Sequence, residues 1–288
     1  MDWDDLRIFL QVARARRITD AARSLGIDPT TVGRRVARLE QKLEASLFEG
    51  LGKDRRLTER GQELLHHAET VESATLAAMG APSGRPAGNV RLSVAEGFAT
   101  WLIAPALEDF HASHPEIRLD IITASGFLNP SKREADIAVM LARPRHGRLI
   151  ASKLSDYRLR LYATRDFIAR HGAPETVAAL RSVPLVSYVP EFNYSPELDY
   201  LNEVGTEIDA TFRSTSINVQ HQIIASGAAI GALPRFMGDR DDRLLPIMPD
   251  EMEIMRSFWL VSHADMRQLA RIDAVTRWLK QEIAPRLV

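Results

Sequence analysis

The sequence predicts an α/β protein in two parts: an N-terminal all-helical winged helix-turn-helix, then a long linker helix leading to a two-lobed, Rossmann-like α/β region. Three observations carry this. A short basic helix begins sharply within GIDPTTVGRRVARLEQKL, residues 26 to 43. Apolar residues recur at helical spacing up to residue 80 and in β-type runs after residue 89. Between the two patterns, APSGRPAGN concentrates Pro, Gly and Ser as a hinge does. A chain of 288 residues is also long for one domain.

In the basic helix, Asp28 caps the free N–H groups and Pro29 stands at the first helical position, where no N–H is needed. At about 100° per residue, Val32, Val36, Leu39 and Leu43 share one arc, with Thr30, Arg34, Arg38 and Gln41 opposite and Thr31 and Arg35 beside them. Such a face is either solvated or reads an anionic partner. Two short helices come first, one on Leu6, Phe9, Leu10 and Ala13 and one on Ile18, Ala21, Ala22 and Leu25. Gly26 makes the tight turn of a helix-turn-helix, whose second helix enters the DNA major groove. LFEGLGKDRRLT follows as a small β-hairpin wing, where Lys53, Arg55 and Arg56 can reach phosphates. After Thr58 a long helix places Gly61, Leu64, Ala68, Val71, Thr75 and Ala78 in steps of three and four, a seam suited to pairing between chains or to packing within one. Beyond the hinge, VRLSVA, IRLDII, ADIAVML, RLRLYAT, PLVSYV, AAIGALP and SFWLVS read as strands. WLIAPALEDFHASH, PETVAALRS, INVQHQIIAS and DMRQLARIDAVTRWLKQEI read as helices, and the first two strands form a βαβ unit with a parallel sheet.

Composition narrows the function classes. A hydrophobic content of 45% with 26% charged residues is globular, and a net charge of -1 leaves nucleic-acid affinity to a local patch. The lack of cysteine removes disulfides and cysteine zinc sites and fits a reducing compartment. No run is long enough to span a membrane, and MDWDDLRIFL does not have the pattern of a signal peptide, so a cytoplasmic location is expected. Enzyme motifs fail. Gly50-Leu51-Gly52-Lys53 lacks the first glycine of a phosphate loop, where Leu47 stands, and has Asp54 in place of Ser or Thr. Ser125 and Ser226 lie in no nucleophile elbow, His111 and His114 have no third metal ligand, and the acidic pairs Glu134 with Asp136 and Asp241 with Asp242 read as surface charge. No catalytic residue, cofactor or metal is predicted.

LRIFLQVA, ITDAARSLGI, TTVGRRVARLEQKL, LF and LTERGQELL together make the first 80 residues resemble the LysR-type family of bacterial transcriptional regulators. GNVRLSVAEG, ADIAVML, LYATRDFIARHG, IIASGAAIGALP and RSFWLVSHAD are similar, in order, to that family's effector-binding domain. The resemblance implies a winged helix-turn-helix over residues 1-58, a linker and dimerisation helix over 59-80 and a hinge at 81-89. It further implies a periplasmic-binding-protein-like effector domain over 90-288, with lobe I at about 90-160 plus 266-288 and lobe II at about 161-265. The resemblance implies that the basic face of the third helix reads DNA, with Arg34 at the position of the family's helix arginine; the candidate DNA-binding residues are Thr30, Thr31, Arg34, Arg35 and Arg38 on that helix and Lys53, Arg55 and Arg56 on the wing, while side-chain contacts at the departing positions do not carry over. This chain departs from the pattern at Asp28, Pro29, Thr30 and Gly33, where the family usually has Ser, Gln, Pro and Ser, and at Gly50 in place of an arginine.

The expected partners are double-stranded DNA with a palindromic promoter site, a small-molecule effector and further copies of the chain in a homodimer or homotetramer, with RNA polymerase a further candidate and no membrane. Two other classes compete: a transport-type small-molecule binding protein and an α/β enzyme. The effector is expected in the cleft between lobes, outside the carboxyl ends of the strands. Candidate residues there are Glu96, Gly97, Phe98, Ala99 and Thr100, then Ser125 and Phe127, then Thr215 and Ser216, with Tyr188 as a wall. Two helix starts facing the cleft favour an anionic or carbonyl-bearing ligand, while Glu96 favours an amine-bearing one. Trp101 beside the site is expected to report occupancy.

Overall fold

Helices α1 (Trp3–Ala15), α2 (Ile18–Leu25) and α3 (Pro29–Leu43) open the chain in a computed structural model that describes residues 3–15, 17–49, 56–78, 86–123, 135–144, 149–205, 208–250, 252–263, 266 and 269–287. The chain divides into two compact units, Met1–Gly84 and Arg85–Val288. In the first, Gly26 ends α2 at φ 67°, a left-handed conformation that glycine adopts without steric cost. The Asp28 carboxylate then accepts the Thr30 N–H at 2.8 Å, with Pro29 at the first helical position. Leu6, Phe9, Val12, Ala21, Ala22, Val32, Val36 and Leu39 form the buried core of the three helices.

Strands β1 (Phe48–Glu49) and β2 (Arg56–Leu57) pair antiparallel as the wing, with Phe48 opposite Leu57. The Glu40 carboxylate fixes its start to α3 by accepting the Leu47 and Phe48 N–H groups at 2.7 and 3.2 Å. Helix α4 (Glu59–Ala78) follows, and Arg14 of α1 pairs with its Glu72 at 2.6 Å. Part of the expected pairing seam is used inside the chain. Leu64 and Ala68 are buried in the three-helix core, and a Cβ on Gly61 would lie 2.0 Å from the Leu47 carbonyl oxygen. Val71, by contrast, is 42% exposed.

The second unit is built on one mixed nine-stranded sheet. Strands β3 (Gly88–Val94), β4 (Ile117–Ile122) and β5 (Ile137–Met140) are parallel, with β3 central. Asp136, expected on the surface, is buried: it accepts the Arg91 N–H at 2.7 Å and donates its own N–H to the Arg91 carbonyl at 2.9 Å, pinning β5 to β3. The helical run after β3 starts as α5 (Glu96–Phe98), widens to a π turn (Ala99–Ile103), tightens to a 3-10 turn (Ala104–Ala106) and ends as α6 (Leu107–Ser113). Pro105 supplies the reason. It has no N–H for the Trp101 carbonyl one turn back, so the ladder is interrupted there, and the Arg240 guanidinium donates to that carbonyl at 3.0 Å.

A 16-residue strand, β6 (Leu149–Thr164), runs into α7 (Arg165–His171), whose first turn Thr164 caps. PETVAALRS, expected as an α-helix, is a 3-10 turn at Val177–Ser182. Next come β7 (Leu185–Ser187), α8 (Tyr200–Val204), β8 (Phe212–Arg213), α9 (Ile217–Ala225), β9 (Ile230–Pro234), α10 (Arg235–Gly238) and β10 (Leu244–Ile247). Of these, α8, α10, β8 and β10 span two to five residues each, too few for periodicity to reveal. Strand β11 (Glu253–His263) returns antiparallel along β6, and α11 (Ala270–Trp278) continues through π and 3-10 turns to Leu287. No helix of the described residues is long and apolar enough to cross a membrane.

Two glycine substitutions in the first unit are expected to act with opposite sign. Gly61→Ala forces α4 away from the Leu47 carbonyl and lowers stability by about 1–3 kcal/mol or more. At Gly33 an added Cβ meets only Ile18 Cδ1, at 4.0 Å, so Gly33→Ala raises stability by up to about 1 kcal/mol through helix propensity. Urea denaturation of the two variants checks both signs.

Candidate DNA-reading helix and effector cavity

The basic face of α3 divides into two sets of side chains. Arg34 is exposed and forms no ion pair among the described residues, and Thr30, also exposed, hydrogen-bonds through its hydroxyl to Asp28. Thr31 is half-buried. Arg35 and Arg38 are turned toward α1. Arg35 pairs with Asp4 at 2.8 Å and with Asp5 at 3.3 Å, Arg38 pairs with Asp5, and Lys42 stands 3.8 Å from the same carboxylate. Asp5 is fully buried. Burial pushes its carboxyl up, but Arg38, Arg35 and Lys42 together outweigh that and hold it below the ordinary carboxylate range. Arg56 is exposed on β2, whereas Lys53 and Arg55 lie outside the described residues.

Asp5 was not anticipated as part of this face, yet its spacing was informative. It stands four residues before Phe9 and seven before Val12, on the buried arc of α1, where an acidic residue requires a cation.

In the second unit a cavity of about 240 Å³ lies where β6 and β11 pass the starts of α5 and α9. Glu96, Gly97, Phe98, Tyr188, Thr215 and Ser216 line it, as do Tyr157, Tyr194, Tyr200, Phe236 and Phe258, which sequence reading did not single out. These aromatic residues come from distant segments and carry no local signal. Tyr157 and Phe258 stack at 4.2 Å across the β6–β11 ladder, Phe98 meets Phe258 edge-on at 4.8 Å, and Tyr188 meets Tyr200 at 5.8 Å. Burial raises the Tyr157, Tyr188 and Tyr200 hydroxyls, and burial with the Glu96 charge pushes Tyr194 up to about 12. All four are neutral phenols at neutral pH.

Several expected members fall elsewhere. The first helical run is capped at Ala95, so Thr100 is not a cap; it is exposed in the π turn, where its hydroxyl accepts from the Asn218 amide at 2.9 Å. Ala99 is buried behind the wall and is not part of it. The cap of α9 is Ser216 and not Thr215: its hydroxyl accepts the Val219 N–H at 3.1 Å and donates to Glu96 at 2.9 Å. Trp101 donates to Asn218 at 3.1 Å and packs on His221 at 4.9 Å, off the wall. Ser125 and Phe127 lie outside the described residues. Asp241, read as surface charge, is largely buried beside His221 at 3.1 Å and Arg243 at 2.6 Å, and its carboxyl is held at about 2, mainly by Arg243. Among the described residues no group of three or more His, Asp or Glu is placed to hold a metal ion.

A winged three-helix unit joined in one chain to an α/β unit with a small-molecule cavity defines a ligand-responsive DNA-binding protein. Residues 3–62 match the bacterial regulatory helix-turn-helix protein, lysR family, and residues 83–284 match the LysR substrate binding domain. The chain belongs to the LysR-type family of transcriptional regulators, which are DNA-binding regulators and not enzymes. It is similar to the HTH-type transcriptional regulator DmlR of Escherichia coli (strain K12), 30% identical over 292 residues that cover 98% of this chain and 94% of that one. It is also similar to the Mau operon transcriptional activator of Paracoccus denitrificans, 28% identical over 286 residues, covering 96% and 95%. Among solved structures, CrgA, a LysR-type transcriptional regulator from Neisseria meningitidis, matches with 25% identity, a TM-score of 0.63 and coverage of 98% of this chain and 99% of that chain. Membership in this family decides against a transport-type binding protein and against an α/β enzyme.

Acid should act on the second unit through His221. Burial lowers its pKa more than the Asp241 charge raises it, so the unfolded chain holds the proton more tightly. The stability contributed is complete above about pH 6.5, the unfolded value, and is lost as pH falls from there through the lower folded value. His221→Gln is expected to flatten the fall in denaturation midpoint between about pH 7 and pH 5; an unchanged slope would assign it to other groups.

Proposed function

We propose that α3 reads the major groove of a roughly palindromic promoter site through Arg34, with Thr30 and Thr31 at its leading end and Arg35 and Arg38 as phosphate contacts oriented by Asp4 and Asp5. The observation that carries this is the exposed Arg34 guanidinium, which forms no ion pair among the described residues, on a helix whose other arginines are held by acidic partners. The wing, through Lys53, Arg55 and Arg56, takes the flanking phosphates. The working division is a DNA-binding part over residues 1-58, a linker helix over 59-80, a hinge at 81-89 and an effector-binding part over 90-288. The chain acts as a homodimer or homotetramer in the cytoplasm, where the promoter is, with RNA polymerase as a further partner. A small-molecule effector lodges in the aromatic cavity and changes DNA affinity by binding two conformations unequally.

Arg34→Ala is expected to cost about 1–3 kcal/mol of DNA affinity with relaxed specificity at one base pair if the guanidinium pairs with a guanine edge, and to weaken all sequences alike if it holds a phosphate. A titration at fixed salt separates the two, and wild-type affinity would overturn the reading. For assembly, Val71 is the informative position, because Leu64→Asp would bury a charge in the winged core and confound assembly with folding. Val71→Asp is expected to lower the mass measured by light scattering while leaving helix content unchanged.

A further inference from the structure

We propose that the effector is a small organic ammonium ion: an apolar body held by the tyrosine and phenylalanine rings, with its charged nitrogen on Glu96. The inference rests on the aromatic cavity being the effector site and names the chemistry that fits it.

Glu96 is a half-buried carboxylate on the cavity wall. One of its oxygens accepts the Ser216 hydroxyl at 2.9 Å, and among the described residues no Lys, Arg or His pairs with it or lines the cavity. Ser216 spends its own acceptor on the Val219 N–H, so it orients the carboxylate without neutralising it. The Arg256 guanidinium, whose charge acts on Tyr157 and Tyr200, is bound to Glu203, to the Glu197 carbonyl at 3.3 Å and to the Met255 carbonyl at 3.1 Å. No counter-charge for Glu96 comes from the described residues of the wall.

Seven rings complete the surroundings: Tyr157, Tyr188, Tyr194 and Tyr200 with Phe98, Phe236 and Phe258. Aromatic faces are the negative side of the ring quadrupole and attract cations by about 0.5–2 kcal/mol each, the more so when desolvated. The phenols add no positive charge. The Tyr157 hydroxyl donates to that of Tyr200, and the Glu96 charge helps hold Tyr188 and Tyr194 in their protonated form. A carboxylate ligand would place a second negative charge beside Glu96 with no cation among the described wall residues to receive it, an arrangement that burial makes costly. A primary ammonium reverses every one of these signs: it pairs with Glu96, faces the rings and can donate to Thr215 at the same wall. The cavity of about 240 Å³ limits the body to roughly one ring or a short alkyl chain, since sites for drug-sized ligands run from about 300 Å³ upward.

The test is calorimetric titration of the full-length protein with benzylammonium and butylammonium against phenylacetate and valerate, repeated on Glu96→Gln and on Thr215→Phe, which narrows the cavity. The ammonium ions are expected to bind wild type at least tenfold more tightly than the carboxylates of similar shape. Glu96→Gln keeps an oxygen for Ser216 and is expected to abolish that preference, and Thr215→Phe to weaken both probes at least tenfold. Carboxylates that bind more tightly than the ammonium ions, in a manner Thr215→Phe blocks, would overturn the cation assignment and leave the cavity as the effector site. Ammonium binding that Thr215→Phe leaves unchanged would overturn the cavity itself. Wild type alone decides the first comparison even where a variant fails to fold, and binding of neither probe class overturns the proposal.

Discussion

The pairing of β11 along β6 is the constraint on which the rest of the second unit depends. β6 runs 16 residues, and β11 follows it antiparallel from Glu253 opposite Arg160 to His263 opposite Leu149. At one end the other edge of β11 carries β5, through which β3 and β4 attach; at the other, β6 carries β9 and, beyond the start of β11, β10. The two lobes therefore share two strands and are not joined by a loop. Between Phe258 and Trp259 the register shifts, so that β11 steps past Leu154. A bulge locally increases twist and frees the ladder to re-aim side chains. Phe258 stands at that step, stacked on Tyr157, and both face the cavity. The cavity lies where the ladder is irregular.

Charge placement plays the corresponding part in the first unit. A buried carboxylate alone would be strongly unfavourable, and Asp5 is tolerated because two guanidinium groups and an ammonium converge on it. The same contacts restrict Arg35 and Arg38, so two long side chains already lose rotamer freedom on folding. A face that composition alone would describe as solvated is thus partly preorganised. Arg34, exposed and in no ion pair among the described residues, keeps its rotamer freedom.

Local signals were legible and non-local ones were not. The Asp28-Pro29 start, the Gly26 turn, the antiparallel β1–β2 pair of the wing and the parallel β3–β4 pair follow from signals within a few residues, and each stands as the sequence implies. Thr100 misled because it stands just before WLIAPALEDFHASH, read as the helix, while the helical run starts five residues earlier, after Ala95, which has no side-chain cap. Asp136 and Asp241 misled because acidic residues are mostly exposed; Asp136 is held by the Arg91 N–H of a neighbouring strand and Asp241 lies against His221, and tertiary packing places both partners. The cavity's character was hidden for the same reason. Tyr157, Tyr188, Tyr194 and Tyr200 occupy a strand, two connecting segments and a short helix, and only the folded sheet brings them to one wall.

The composition of that wall also bounds how strongly a ligand held there could act. A ligand shifts a conformational equilibrium only by the difference in its affinity for the two states, and couplings of this kind run about 1–3 kcal/mol, or about 5- to 150-fold in affinity. A ligand small enough for about 240 Å³ has few atoms with which to create that difference. Contacts that exist in both states contribute nothing to it, which applies to the Tyr157–Phe258 stack if the ladder is held rigidly. The discriminating contacts must come from parts of the wall that belong to different elements, and the Glu96–Ser216 hydrogen bond joins two such elements, the start of α5 and the start of α9. A charge placed on Glu96 changes the strength of that bond directly. In a cavity whose other described lining residues are uncharged, this polar bridge is therefore where a small ligand could couple most strongly to the conformation of the unit.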